Sequence, residues 1–415
     1  MVSVPHAHAA AWIISALTVF GMLSRPLRIP EWCWAVAGAV LLLAFGLIHA
    51  HQAAVAILRG TQVYFFLAGM MALAELARNE GLFEWLASQA VLAARGSSFM
   101  LFALIFGIGV IVTMFLSNDA TAIVLTPAVL AASRRAGVAP LPFLFACALV
   151  ANAASFLLPI GNPANLVVYG NELPPLIPWI ATFGAASIAA IGSTFLILVL
   201  LFRSQFGEYV DERKHQSLTP RQRLSSGLLP CAVIGLVYAS ALGYAIGTAT
   251  LAAGVICTVI VGASDRKTVV RTLRGITWGI IPLVAALFII VQALDANGAL
   301  YVVRSWFEAV SAYSHPLDVL AIGGIVAIGC NVLNNLPAAL LTSFALTGDA
   351  SSPVRHAALV AVNLSPNISL TGSLATLLWL AMLRREGIDC SAWQFFRIGI
   401  VVTVPSLVIA LLLTQ

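Results

Sequence analysis

Long apolar stretches separated by short polar ones make up most of the chain. Apolar windows close to the roughly 20 residues that span a bilayer as a helix lie near residues 8–24, 32–48, 61–77, 178–202, 228–247, 250–263, 275–293 and 396–413. Each window is predicted to be a transmembrane helix. The chain is therefore expected to be an all-α polytopic membrane protein.

Composition supports this fold class. Of 415 residues, 61% are hydrophobic and 9% are charged, with a mean hydropathy of +1.00, whereas about a quarter of residues are charged in soluble domains. The net charge of +5 is interpreted as a topology signal rather than a nucleic-acid surface. Six cysteines without a C-x-x-C pair indicate neither a disulfide framework nor a zinc site, so no metal or cofactor is expected.

Two polar clusters interrupt apolar runs where a helix would lie in the membrane. The first is Ser117-Asn118-Asp119-Ala120-Thr121, and the second begins at Asn334-Asn335. A gap-free superposition places Asn118 over Asn334. We predict a re-entrant helical hairpin around each cluster, within residues 97–133 and 317–348, with ordinary full spans as the alternative.

Two further segments, 140–169 and 356–383, are predicted to be broken helices. Two prolines and Gly161 fall within five residues in the first one, and prolines remove backbone donors and disfavour continuous helix. Gly372 follows Gly161 by 211 residues, the same separation as between Asn152 and Asn363. Non-helical backbone at membrane depth is tolerated where protein or a water-filled cavity satisfies it, so Gly161 and Gly372 mark candidate binding positions.

The order of elements recurs after a hydrophilic stretch in mid-chain, which indicates an internal duplication. We predict a repeat at 1–205, a cytoplasmic linker at 206–224 and a repeat at 225–415. Each repeat has five crossings, one hairpin, and an amphipathic connector. An odd number of crossings inverts the second repeat. Eighteen of the 21 Lys and Arg residues then fall on one side, which is predicted to be cytoplasmic, with both termini periplasmic.

The tips and breaks would converge near the midplane, as in inverted-repeat transporters. The predicted substrate-binding residues are Ser117, Asn118, Asp119, Thr121, Asn152, Asn162, Asn165, Asn334, Asn335, Asn363, Thr371 and Ser373, joined by Asn367. These groups both donate and accept hydrogen bonds, which suits an uncharged polyhydroxy solute. Asp119 is the one carboxylate and the candidate for proton coupling; a structural cap or a sodium ligand are its alternatives.

The segments Ser117–Pro127, Asn334–Pro337 and Gly372–Leu380 resemble the arsenite/antimonite permeases of the ion transporter superfamily, over nearly the whole chain. The resemblance implies efflux of trivalent arsenite and antimonite across the bacterial inner membrane, driven by the membrane potential or proton gradient. It also implies, in some members, a soluble ATPase partner on the cytoplasmic face. Asn118, Asp119, Asn334 and Asn335 would be tip residues.

Other functions remain open at this point. A sodium/proton antiporter or a sodium-coupled anion carrier could share the fold. An intramembrane aspartyl protease would need a second embedded aspartate facing Asp119, and the candidates Asp295 and Asp318 fall near predicted membrane edges. The chain is therefore expected to be a transporter, not an enzyme, with lipid, protons and arsenite or antimonite as its partners and with no role for nucleic acid.

Overall fold

The structure, a computed structural model, describes residues 4–26, 29–207, 220–298, 300–310, 315–346 and 353–414. Within these ranges it contains helices and connecting turns and no strand, which confirms the all-α polytopic fold class. Most of the predicted linker 206–224 lies outside the described residues. The division into two repeats at that linker stays a prediction.

Eleven helical segments form the first half. They are α1 (Val4–Ser24), α2 (Glu31–Ala44), α3 (Ala50–Arg59), α4 (Thr61–Asn79), α5 (Leu82–Ala93), α6 (Ser98–Leu116), α7 (Asn118–Ala120), α8 (Thr126–Arg135), α9 (Leu141–Ala153), α10 (Pro163–Tyr169) and α11 (Leu176–Phe202). A π-helical turn, Thr121–Leu125, joins α7 to α8.

Ten helices form the described second half. Its helices are α12 (Pro220–Ala241), α13 (Ile246–Ser264), α14 (Arg266–Gly275), α15 (Ile280–Ala296), α16 (Tyr301–Val310), α17 (His315–Leu333), α18 (Asn335–Ala345), α19 (Pro353–Leu364), α20 (Leu374–Arg385) and α21 (Ala392–Leu412). In the predicted duplication, α17 and α18 would correspond to α6 and α7–α8, and α19 and α20 would correspond to α9 and α10.

Length and composition identify six membrane-crossing helices in the described part of the chain, and a seventh if α3 and α4, which meet at 47°, count as one span. The other apolar helices are shorter than a full span. α3 and α14 were not predicted from the sequence. α14 is strongly amphipathic and basic, so its hydrophilic residues hide it from a search for apolar windows.

Helices of the two halves pack against one another in matching pairs. α4 of the first half contacts α13 of the second, and α15 of the second half contacts α2 of the first. The polar segments follow the same rule, because α10 contacts α18 while α20 contacts α7 and the π-helical turn. The two halves therefore form one core, with the predicted site at their junction.

Candidate functional site

Each polar cluster starts with a residue in an unusual backbone conformation. Ser117 has φ +100° and ψ +158°, and Asn334 has φ +81° and ψ +155°. This region of backbone space is occupied almost only by glycine, and a side chain there costs about 1–3 kcal/mol, a strain that clusters at functional sites. The first tip is defined here as Ser117–Thr121 and the second as 334–338.

These conformations correct the predicted alignment of the tips by one residue. The superposition placed Asn118 over Asn334, but the equivalent backbone position is Ser117, so Asn118 corresponds to Asn335. The alignment followed residue identity, whereas the positive φ falls at the residue that precedes α7 and α18. Ser117 fits that position because its hydroxyl accepts a hydrogen bond, at 3.5 Å, from the amide of Ala120.

Local hydrogen bonds use part of the polar capacity of the first tip. The Asn118 Oδ1 accepts from the amide of Asp119 at 3.0 Å. The hydroxyls of Thr113 and Thr121 are 2.8 Å apart, and the Thr126 hydroxyl donates to the Thr121 carbonyl at 3.2 Å. The last bond stabilises the π-helical turn, a feature frequent at functional sites.

The second tip is fastened to the break that follows it. The amide of Asn335 donates to the carbonyl of Gly372 at 2.9 Å, and Nδ2 of Asn334 donates to the carbonyl of Thr371 at 3.3 Å. Asn331, a residue that the sequence did not single out, accepts from the Ser369 hydroxyl at 2.7 Å through its Oδ1. In the sequence, the one sign that Asn331 could belong to the site is its position one helical turn before the second tip.

Both breaks are shaped by a glycine and end at a capping side chain. A Cβ on Gly161 would collide with the carbonyl of Ser155, and one on Gly372 would lie 2.7 Å from Pro366. Asn162 then caps α10 by accepting from Ala164 at 2.9 Å. Ser373 likewise caps α20. Positive helix N-termini therefore face the junction from both halves.

Fully buried amides join the two breaks, with Asn363 at the centre of the network. Its Nδ2 donates to Oδ1 of Asn165 at 2.8 Å and to the carbonyl of Leu359 at 2.9 Å. Its Oδ1 accepts from Nδ2 of Asn162 at 2.9 Å and from the hydroxyl of Ser155 at 2.7 Å. The side chain of Asn363 thus makes four hydrogen bonds, three of them to the other half.

A second link runs parallel to the first. Nδ2 of Asn152 donates to Oδ1 of Asn367 at 2.8 Å, and Nδ2 of Asn367 donates to the carbonyl of Leu149 at 2.8 Å. Nδ2 of Asn165 lies within 3.1–3.4 Å of three carbonyls of its own break. These break amides have no exposed surface. They mainly hold the halves together.

Oδ1 of Asn152 is buried without a hydrogen-bond partner, and the tips also retain unused polar groups. Asn118 and Asn335 are 2% and 4% exposed, yet within the described residues no acceptor contacts Nδ2 of Asn118 and no partner contacts the Asn335 side chain. The carboxylate of Asp119 accepts no hydrogen bond and pairs with no cation in the same part of the chain. Asp119 is half-buried, and all three side chains keep free hydrogen-bonding capacity, which makes them the candidates for contacting a solute.

Asp119 faces a small inner cavity of ≈ 70 Å³. Its walls are Met71, Ala74, Glu75, Ser117, Asp119, Ala120, Ile123, Val124, Gly275, Ile276, Thr277, Ile280 and Leu378. Two of these side chains are acidic, two carry hydroxyls and none is basic. No cluster of His, Cys, Asp and Glu among the described residues could hold a metal ion.

Comparison with known proteins places the chain in a family. A family model described as CitMHS, citrate transporter, matches residues 10–383. The chain belongs to the CitMHS family. Among relatives of this CitMHS protein, the arsenical pump membrane protein of Escherichia coli strain K12 is 26% identical over 97% of both chains. The protein of that name from Yersinia enterocolitica is 25% identical over 81% of this chain and 82% of its own.

A solved structure supports the fold of the CitMHS protein. The YdaH transporter of Alcanivorax borkumensis matches with a TM-score of 0.56 at 13% identity, covering 87% of this chain and 86% of that one. The likeness concerns the fold alone. The family match and its full-length relatives indicate a multi-span membrane transporter.

A larger cavity of ≈ 390 Å³ lies at the other end of α4 in the CitMHS protein. Arg59, Gln62, Asp295 and Arg304 are among its lining residues. Arg304 is paired with Asp295 at 2.7 Å and also donates to the carbonyl of Phe344 on α18 at 3.1 Å. None of the predicted substrate residues lines this cavity.

Proposed function

We propose that this protein exports arsenite and antimonite from the bacterial cytoplasm as neutral trihydroxides, in exchange for protons. The observation that carries the proposal is the set of unused groups at the tips. Two buried amides from opposite halves can donate and accept hydrogen bonds. No basic side chain lines the cavity of Asp119 in the first tip, whereas a bound dianion would require one.

Full-length relatives with the name arsenical pump membrane protein support the choice of substrate. An arsenic trihydroxide is uncharged at neutral pH, and its three hydroxyls need both donors and acceptors. Asn118 and Asn335 offer such groups at equivalent positions of the two tips. Of the residues predicted to bind substrate, these two are proposed as direct contacts. The amides of the breaks position the tips.

Asp119 is proposed as the group that carries the coupled proton. An ionised carboxylate without a partner is costly inside a membrane, and protonation removes that charge. Because the substrate is neutral, its export needs a second species to supply a driving force. Protons entering through Asp119 would supply it, and the proton motive force would then drive efflux.

The proposed setting is the bacterial inner membrane, with both termini periplasmic and the basic connections cytoplasmic. A soluble ATPase, as the resemblance implies for some relatives, would have to dock on the cytoplasmic face. A reporter fused to the C-terminus tests the orientation, because periplasmic alkaline phosphatase activity is expected and cytoplasmic fluorescence alone contradicts it.

Expression in an arsenite-sensitive bacterium tests the function. The parent protein is expected to confer resistance and to drive arsenite accumulation in everted vesicles that are energised with an acidic interior. Asp119→Asn should abolish accumulation while the protein still reaches the membrane. An inactive parent protein contradicts the proposed substrate, and full accumulation by Asp119→Asn contradicts the proposed coupling.

Citrate is the second candidate substrate, because the matched family model is described as a citrate transporter. The inner cavity opposes this choice, since its two carboxylates would repel a tricarboxylate. Sodium-dependent citrate uptake, with no arsenite transport in the same vesicles, would favour the sodium-coupled anion carrier over arsenite export.

A further inference from the structure

The inner cavity contains a second carboxylate in addition to Asp119. Glu75 projects from the C-terminal part of α4 and lines the same ≈ 70 Å³ space. A cavity of this size holds a few water molecules, and one bridging water can relay a proton between two groups. The cavity therefore connects an unpaired acid at the first tip with a paired acid on a different element.

The pairing of Glu75 uses only one of its two oxygens. Arg78 donates from Nε at 3.0 Å and from Nη2 at 2.6 Å, and both bonds end on Oε2. Within the described residues Oε1 has no hydrogen-bond partner, so it is available to water. The side chain of Glu75 is 12% exposed and that of Arg78 is 47% exposed. The pair thus extends from solvent to the cavity wall.

Gly275, at the end of α14, lies directly against this pair. A Cβ at Gly275 would lie 2.6 Å from Cδ of Glu75 and 3.1 Å from Nη2 of Arg78. Only glycine lets α14 approach the pair so closely. Thr277, two residues later, contributes a hydroxyl to the same cavity.

Other charged groups lie near these elements but not on the cavity wall. On the helices that pack against α4, and on α20, which packs against the first tip, the described ones are Arg59, Glu84, Arg266, Lys267, Arg271, Arg274, Asp295, Arg384 and Arg385. Asp119 and Glu75 are the titratable side chains among the lining residues.

We propose that Glu75 relays the coupled proton between Asp119 and cytoplasmic water. The proton leaves the carboxyl of Asp119, passes through water in the cavity, and adds to Oε1 of Glu75. The bond to Asp119 breaks as the bond to Glu75 forms, and the proton then leaves to bulk water. This inference rests on the proposed coupling through Asp119.

Reconstituted vesicles separate this role from a structural one, because two transport modes differ in their need for protons. Arsenite uptake driven by a pH gradient requires proton release, whereas exchange of labelled for unlabelled arsenite without a gradient does not. Glu75→Gln is expected to lower gradient-driven uptake by at least about tenfold and to leave exchange within about twofold of the parent. Glu75→Asp should recover part of the gradient-driven rate.

The matched control is Glu84→Gln, which removes an exposed carboxylate on α5 and should change neither mode. Glu75→Gln with the parental gradient-driven rate overturns the inference. So does an equal loss of both modes, which indicates a structural pair. A parent protein that exchanges arsenite but ignores the pH gradient contradicts the proposed coupling and, with it, the role of Glu75.

Discussion

Replacing Asn363 with leucine tests whether the buried amides join the two halves. Leucine has nearly the same shape, so the change removes four hydrogen bonds without opening a cavity. Oδ1 of Asn165 loses its partner, and Nδ2 of Asn162 keeps only a 3.5 Å contact with Ser155. The Ser155 hydroxyl keeps its bond to the carbonyl of Asn152.

The expected cost follows from the two groups that remain unpaired. A buried polar group without a partner costs about 1–3 kcal/mol, although interhelical bonds in membranes average roughly 0.6 kcal/mol. The expected loss is therefore about 2–5 kcal/mol. With average unfolding entropies, 1 kcal/mol lowers the midpoint of a chain of this length by about 1 °C, so the midpoint should fall by about 2–5 °C.

Fluorescence-detected size exclusion after heating in detergent measures this midpoint. The control is Asn79→Leu, which removes a single 3.4 Å contact with Thr272 and should cost less than about 1 kcal/mol. A parental midpoint for Asn363→Leu, or an equal fall for Asn79→Leu, refutes the structural role. Weaker arsenite binding at parental stability would instead make Asn363 a substrate contact.

Three further predictions concern backbone and charge. Gly372→Ala places a Cβ 2.7 Å from Pro366, whereas a Cβ on Gly324 would meet open space. Gly372→Ala should therefore lower the yield of monodisperse protein, and Gly324→Ala should not. Ser117→Gly should raise stability by about 1 kcal/mol and Ser117→Val should not; equal midpoints contradict strain at the tip. Charge reversal at Arg134 should destabilise by up to about 1 kcal/mol, and added reversal at Glu386, its partner at 2.9 Å, should restore the midpoint.

Local patterns were enough to predict most of the architecture. Apolar windows located the long helices, and prolines with glycine located the breaks, because these residues act on their own backbone. The constant spacing of 211 residues also holds in the structure, where Asn162 and Ser373 cap equivalent helices. These features depend on neighbours in the sequence and could be inferred without knowing any tertiary contact.

Tertiary contacts limited the prediction of the site. The sequence could show that Asn152 and Asn363 are polar residues in apolar helices, but not that these side chains form hydrogen bonds across the halves. The tip alignment shifted by one residue because a serine and an asparagine occupy the same backbone position. Glu75 lies far from both tips in the sequence, and only the fold brings it to the cavity of Asp119.

Two ion pairs join the two halves. Arg134, before the broken helix of the first half, pairs with Glu386 beyond the last turn of α20 at 2.9 Å. Arg355, in the first turn of the broken helix of the second half, pairs with Glu172 after α10 at 2.5 Å. Each joins one half to the other, and the amide network lies between them along the chain. The two ion pairs and the amide network therefore all link the two halves.

The tip amides occur in both halves, whereas the acidic groups of the cavity occur in the first half alone. In the proposed mechanism, this difference separates substrate binding from proton coupling. Asn118 and Asn335 are equivalent, so either half can offer an amide to the same neutral solute. Leu336 occupies the position of Asp119 in the second tip, and the other acid in the cavity, Glu75, also belongs to the first half. A solute that crosses the membrane needs contacts from both halves, whereas a proton needs one site that gains and loses it. In the proposed mechanism, duplication therefore supplied the shared binding groups, and the acids of the first half alone made the transport depend on protons.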